Sequence, residues 1–181
     1  MGFCLFNNVA IAARYAQRRH GLQRVLIVDW DVHHGNGTQA IFEEDPSVLY
    51  FSTHQYPFYP GTGAADETGS GAARGTKLNL PLLPGSDDRA FHAAWLEVER
   101  YLEATPPEFI LFQCGADSIA GDPLTHLRFT PAAHAHAATR LCALARAHGA
   151  RGPVAMGGGG YDRGNLAAAW TGVVQALLES E

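Results

Sequence analysis

Short apolar runs rich in branched side chains alternate along this sequence with longer amphipathic segments, and that alternation restricts the fold more than any single motif. Arg24 to Asp29 (RVLIVD) and Phe109 to Gln113 (FILFQ) each hold four consecutive apolar residues, the pattern of strands buried on both faces of a parallel sheet. Val48 to Thr53, Lys77 to Leu82 and Pro153 to Met156 read as three more strands. Val9 to Arg19, Thr38 to Glu44, Asp87 to Ala104, Thr130-Pro131 to about Ala147 and Asn165 to Leu178 read as helices. Ser86 or Asp87 caps the third of these, Pro131 opens the fourth and Gly149 stops it. Strands separated by helices need crossover connections, so an α/β fold with a mainly parallel sheet and helices on both faces is expected. Residues 54 to 76 and 114 to 129 read as long loops, and loops of that length are usually functional or disordered. With 181 residues and no repeat, residues 1–181 form a single domain.

Composition closes off other classes. Hydrophobic residues make up 46% and charged residues 17%, which is globular rather than disordered. The net charge is -5 and no lysine/arginine run exists, which argues against direct nucleic-acid binding. No apolar run approaches the ~20 residues of a membrane helix. The first 20 residues place their basic side chains after the apolar ones, the reverse of a secretory signal. Phe6 stands where a myristoylation motif wants Ser or Thr. Three widely spaced cysteines, Cys4, Cys114 and Cys142, give no disulfide framework. A reduced, cytoplasmic protein is expected.

In open parallel sheets, ligands sit beyond the carboxyl ends of the strands. The residues there are polar: Asp29-Trp30-Asp31-Val32-His33-His34-Gly35-Asn36-Gly37 after the first strand, Cys114-Gly115-Ala116-Asp117 after FILFQ, and Gly157 to Gly160 with Tyr161 after the last. Asp31 and His33 are two apart, the period of an extended chain, so they can point to one side. With Asp117 they make two carboxylates and one imidazole, the three-ligand pattern of a catalytic zinc site with an open position. The same donors suit Fe(II), Co(II) or Mn(II). Each residue alone serves as readily as a helix cap, a turn former or a loop histidine. Their coincidence at three strand ends favours a site.

DWDVHHGNGTQ, GADSIAGDPL and GGGGY, with GFCLFNNVAIA in front, resemble the histone deacetylase family, which includes bacterial acetoin-utilisation proteins and acetylpolyamine amidohydrolases. The resemblance covers nearly the whole chain. It implies the arginase/deacetylase fold, a three-layer α/β/α sandwich, and a zinc-dependent amidohydrolase acting on acetyl-lysine of proteins or a small acetylated amine or polyamine. It implies Asp31, His33 and Asp117 as zinc ligands and Tyr161 as the phenol that binds the substrate carbonyl. Asp29 resembles the carboxylate that orients a general-base histidine, and Asn36 the partner of a second histidine. His34 is a structural histidine. Gly2, Phe3, Tyr59 and Leu124 match positions lining the acyl-lysine tunnel, and Gly159 lies beside them. A monovalent cation, usually potassium, is implied at Asp29, Asp31, His33, Ser52 and Thr53, and a second near Phe42, Asp45, Val48 and Thr76.

One departure stands out. In the family a tandem His-His pair precedes the GFC motif and does the proton transfer. Here no histidine precedes His20, and His33-His34 is a different pair. The chain is therefore expected to be an N-terminally truncated deacetylase, with weak or no catalysis, since such a base contributes about 10²–10⁴-fold. The competing reading is a non-catalytic metal- or acyl-lysine-binding module. An arginase-like manganese enzyme would need more bridging carboxylates than the sequence offers. Apolar edges left by absent strands would favour a homo-oligomer.

Overall fold

The computed structural model describes residues 4–180. Five strands form one parallel sheet in the order β3-β2-β1-β4-β5. They are β1 (Val25–Asp29), β2 (Val48–Gln55), β3 (Lys77–Leu82), β4 (Phe109–Gln113) and β5 (Arg151–Met156). β1 is central, pairing Asp29 with Ser52 on one side and with Gln113 on the other. The helices are α1 (Asn8–His20), α2 (Asn36–Ile41), α3 (Asp88–Ala104), α4 (Pro131–Ala147) and α5 (Arg163–Leu178).

The alternation of side chains along the strands divides the core in two. Leu26, Val28, Leu49, Phe51, Ile110 and Phe112 face α3, α4 and α5, where Trp95, Leu141 and Val173 complete the larger core. Val25, Ile27, Val48, Tyr50 and Leu111 face the other way, onto Val9, Ala13 and Ala16 of α1 and onto Phe42. Each such side chain, fully buried, contributes about 1.5–3 kcal/mol. The result is the three-layer α/β/α sandwich expected from the sequence.

Boundaries shift where polar residues join regular structure. β2 continues two residues past the expected Thr53, because His54 and Gln55 pair with Pro81 and Leu82 of β3. α2 begins at Asn36 rather than Thr38 and ends at Ile41. β5 begins at Arg151 and carries Pro153, which an edge strand tolerates because no partner needs its missing N–H. β5 is one of the two edges of the sheet; Val154 on it is 47% exposed, and Leu166, Val174 and Leu178 of α5 are exposed as well. Among the described residues no helix is long and apolar enough to cross a membrane.

Candidate metal centre

The two-residue period that builds the core also builds the site. Beyond Val28, the side chains of Trp30 and Val32 continue into the larger core and are fully buried. Asp29, Asp31 and His33, the intervening residues, are turned away from it. Trp30 anchors this segment against Phe112, with ring centroids 3.9 Å apart. The main chain is then fixed by the acids themselves: Asp29 Oδ1 accepts the Asp31 N–H at 3.1 Å, and Asp31 Oδ1 accepts the His33 N–H at 2.9 Å.

Asp117 comes from the loop after β4 and is completely buried. Its Oδ1 accepts the Val32 N–H at 2.9 Å, which joins the β4 loop to the β1 loop. The Thr125 hydroxyl donates to its carbonyl. His33 Nδ1 lies 3.1 Å from Asp31 Oδ1 and 3.2 Å from Asp117 Oδ2. One donor atom from each of the three residues falls within 4.8 Å of the others.

The third strand end closes the site. Gly159 donates its N–H to Asp31 Oδ2 at 2.6 Å and accepts from the Ala116 N–H at 2.7 Å. A Cβ on Gly159 would fall onto Asp117 Oδ2, and one on Gly158 would lie 2.8 Å from Gly115 Cα and 2.9 Å from Asp31 Oδ2. Glycine is required here so that backbone can approach two carboxylates. Tyr161 follows, 40% exposed. Burial first, then the charges of Asp117 and Asp31, raise its phenol above the ordinary tyrosine range and keep it a donor.

The electrostatics favour a cation. Asp29, Asp31 and Asp117 lie together, and among the described residues His33 alone makes ion pairs with any of them. Burial raises Asp29 well above the usual carboxylate range, and the Asp31 charge adds to this. Burial also raises Asp117. Burial opposes a charged His33, yet hydrogen bonds and charge from Asp117 and Asp31 lift it to about 10. A proton therefore sits where a metal would compete for the same lone pair. Asp117 Oδ2 is buried and, apart from the His33 Nδ1 ion pair at 3.2 Å, has no hydrogen-bond partner among the described residues. A buried carboxylate oxygen met only by that imidazole, beside a second carboxylate, fits a divalent ion.

The other expected residues divide into those beside the centre and those at its rim. Asp29 accepts from the Tyr50 hydroxyl at 3.3 Å. Ser52 lies directly across from Asp29, and Thr53 follows it in β2. Asn36 is half-buried at the start of α2. Tyr59 is 54% exposed and meets the His33 ring edge-on at 6.3 Å. Leu124 is exposed on the Asp117 loop. Gly2 and Phe3 lie outside the described residues.

Three contributors escaped the sequence reading. Phe58, beside Tyr59, stacks on His33 at 5.3 Å. Its signal was the Phe-Tyr pair itself, of which only one member was chosen. Asp122 is buried and bridges two loops, accepting the Leu124 N–H and the Tyr161 N–H, each at 2.9 Å. It stands inside the GDPL string, which marked it without indicating a partner 39 residues away. Glu67 accepts the Gly63 and Ala64 N–H groups and so folds the loop carrying Phe58 and Tyr59, while His34 bonds Thr62 and Gln39 beneath it.

Comparison with known proteins identifies the family and the fold. The family model described as the histone deacetylase domain matches residues 1–177. Histone deacetylase 14, chloroplastic, of Arabidopsis thaliana is 44% identical over 179 residues, covering 98% of this chain and 42% of that protein. Polyamine deacetylase HDAC10 of Homo sapiens is 45% identical, covering 98% and 27%. Among solved structures, the HDA15 HD domain superposes with a TM-score of 0.92 at 43% identity, covering 98% of this chain and 52% of that one. Acetylpolyamine aminohydrolase from Burkholderia pseudomallei gives a TM-score of 0.88 at 33% identity, covering 97% and 50%. The chain thus spans less than half of these two curated relatives and about half of these solved chains. On its motifs, its fold and this match over nearly every residue, the chain belongs to the histone deacetylase family.

Proposed function

We propose that this chain carries the metal-binding part of a zinc-dependent deacetylase that hydrolyses an acylated amine. The substrate class is acetyl-lysine of proteins or a small acetylated amine or polyamine. The observation that carries the reading is the convergence of Asp31, His33 and Asp117 donors within 4.8 Å. These three would hold the ion, and iron(II) or cobalt(II) suits the same donors. A bound zinc ion supplies Lewis-acid polarisation of the acyl carbonyl and lowers the pKa of a water toward about 7.

The remaining chemistry falls to the chain's own residues. Tyr161, its N–H held by Asp122 and its phenol kept protonated by burial and then by its acidic neighbours, would donate to the carbonyl oxygen as negative charge develops there. Phe58 and Tyr59 face the His33 ring and would grip an aliphatic linker; the family resemblance assigns Leu124, Gly2 and Phe3 to the same tunnel. Asp29 and Asn36 would each orient a proton-carrying imidazole. Potassium would lie at Asp29 and Ser52, which are cross-strand partners, with main-chain oxygens of Asp31, His33 and Thr53.

Proton transfer needs an imidazole within hydrogen-bond reach of the reacting water. Among the described residues the buried histidines have structural partners: His34 with Thr62 and Gln39, His54 with Ser52 and Gly63, His134 with Ser118. The 181 residues are read as weakly active or inactive. The second reading, a non-catalytic module that binds metal or acyl-lysine, draws on the same observation. The free thiols Cys114 and Cys142 suit a reducing, cytoplasmic setting, and the open β5 edge suits self-association.

Metal content of the purified chain tests the proposal. One equivalent of zinc per chain is expected, and Asp117→Ala should lose it, because two remaining donors do not hold a closed site. Equal metal content in the two proteins would remove the metal centre and the deacetylase reading with it.

A further inference from the structure

Of the 13 basic residues, twelve are arginines and one is a lysine, Lys77. Lysine is among the residue types least often fully buried, yet Lys77 is 1% exposed at the start of β3. Its Nζ donates to Asp45 O at 3.1 Å, to Val48 O at 2.9 Å and to Thr76 Oγ1 at 2.6 Å. An ammonium has three protons, and each meets an oxygen. The Thr76 hydroxyl donates onward to Ala73 O at 2.6 Å, which leaves a lone pair for Lys77. No carboxylate is within ion-pair distance of Nζ among the described residues. The Asp45 carboxylate is taken by Arg14 at 2.5 Å and by the Ser47 hydroxyl at 2.6 Å.

Burial lowers the Lys77 ammonium to about 8, opposed by the charges of Asp45 and Glu43, so it remains a cation at neutral pH. A compact monovalent cation ringed by main-chain carbonyls and a hydroxyl is the arrangement that replaces the hydration shell of a potassium ion. The family resemblance placed a second monovalent cation near Phe42, Asp45, Val48 and Thr76. The residues here do not fit a free ion at that point, since Nζ already bonds the Asp45 and Val48 carbonyls that would help hold it and sits between them.

We infer that Lys77 is a tethered replacement for a dissolved monovalent cation: its ammonium fills the Asp45–Val48–Thr76 cage. It thereby fastens the turn before β2 to the start of β3 without any bound ion. The inference does not depend on the deacetylase reading.

Because the chain has one lysine, a single ¹⁵N-lysine label reports this group alone. A caged ammonium exchanges slowly, so one NζH₃⁺ cross-peak should persist at pH 7 in the folded protein. In parallel, thermal unfolding is compared in KCl and in choline chloride at equal ionic strength, for wild type and Lys77→Met. Opening the cage should give the variant a potassium-specific rise in Tm on the order of 2–4 °C beyond that of wild type. Potassium at Asp29 and Ser52 acts on both proteins equally and cancels in the difference. An identical response of the two proteins to potassium would overturn the inference. If Lys77→Met does not fold, the wild-type spectrum decides: a persistent peak supports the cage, and loss to rapid exchange overturns it.

Discussion

Gly159 shows most directly how one residue sets this chemistry. Its N–H reaches Asp31 Oδ2, and the space a side chain would need is held by the Asp117 carboxylate. Gly159→Ala should push Asp117 out of line and weaken zinc binding about 10–100-fold, the loss typical when support of a ligand is disturbed. Gly157→Ala serves as the comparison, since its Cβ would meet only the Trp170 ring, at 3.2 Å. Competition against a chelator of known affinity measures both. Equal affinities for the two variants would mean that Gly159 is not needed for close approach. At this scale the sequence was legible wherever a side chain's placement follows from period and strand end, as for the convergence of Asp31, His33 and Asp117. It was illegible where the role is a long-range bond: nothing near Asp122 in sequence points to the Tyr161 N–H, and nothing near Lys77 points to the Asp45 carbonyl.

The elements were easier to find than their ends. Buried apolar strands such as β1 and β4 declare themselves by composition, because both faces are covered. The end of β2 does not, because His54 and Gln55 are buried by bonds to Gly63 O and to the His126 N–H rather than by hydrophobicity. The start of α1 is similarly set by a polar side chain. Asn7 Oδ1 accepts the Ala10 N–H at 2.9 Å, while Asn7 Nδ2 donates to Thr38 Oγ1 of α2 at 2.9 Å. One residue thus caps α1 and ties it to the helix that follows the metal loop. Asn7→Ala should cost about 1 kcal/mol and lower Tm by about 2–4 °C. Asn7→Asp keeps the cap acceptor and loses only the donor to Thr38, so its loss should be smaller. Differential scanning calorimetry on the three proteins separates the two bonds; equal losses would place the whole effect in the contact with α2.

Stability of the whole molecule depends on keeping one imidazole neutral. His134, in α4, is completely buried against Trp30, with rings 4.9 Å apart, and near Phe91 and Phe129. Its Nε2 is 2.9 Å from the Ser118 hydroxyl, next to Asp117 in sequence. Asp88 is the facing charge that favours protonation, but burial dominates and lowers His134 to about 4. The unfolded chain, with an ordinary histidine near 6.5, binds a proton that the folded chain refuses between those two pH values. Stability from this group is therefore complete above about pH 6.5, falls as pH drops toward 4, and changes no further below that. The gap corresponds to roughly 3 kcal/mol. His134→Gln keeps a polar partner for Ser118 and cannot titrate. Urea unfolding from pH 7 to pH 4.5 should show wild-type stability falling more steeply than that of the variant, with most of that difference developed by pH 4.5. His54, also lowered to about 4 by burial, titrates alike in both proteins and leaves the comparison intact. Parallel stability curves for the two proteins would show that His134 accepts its proton without opening the core between the sheet and α4, and that acid sensitivity in this fold arises elsewhere.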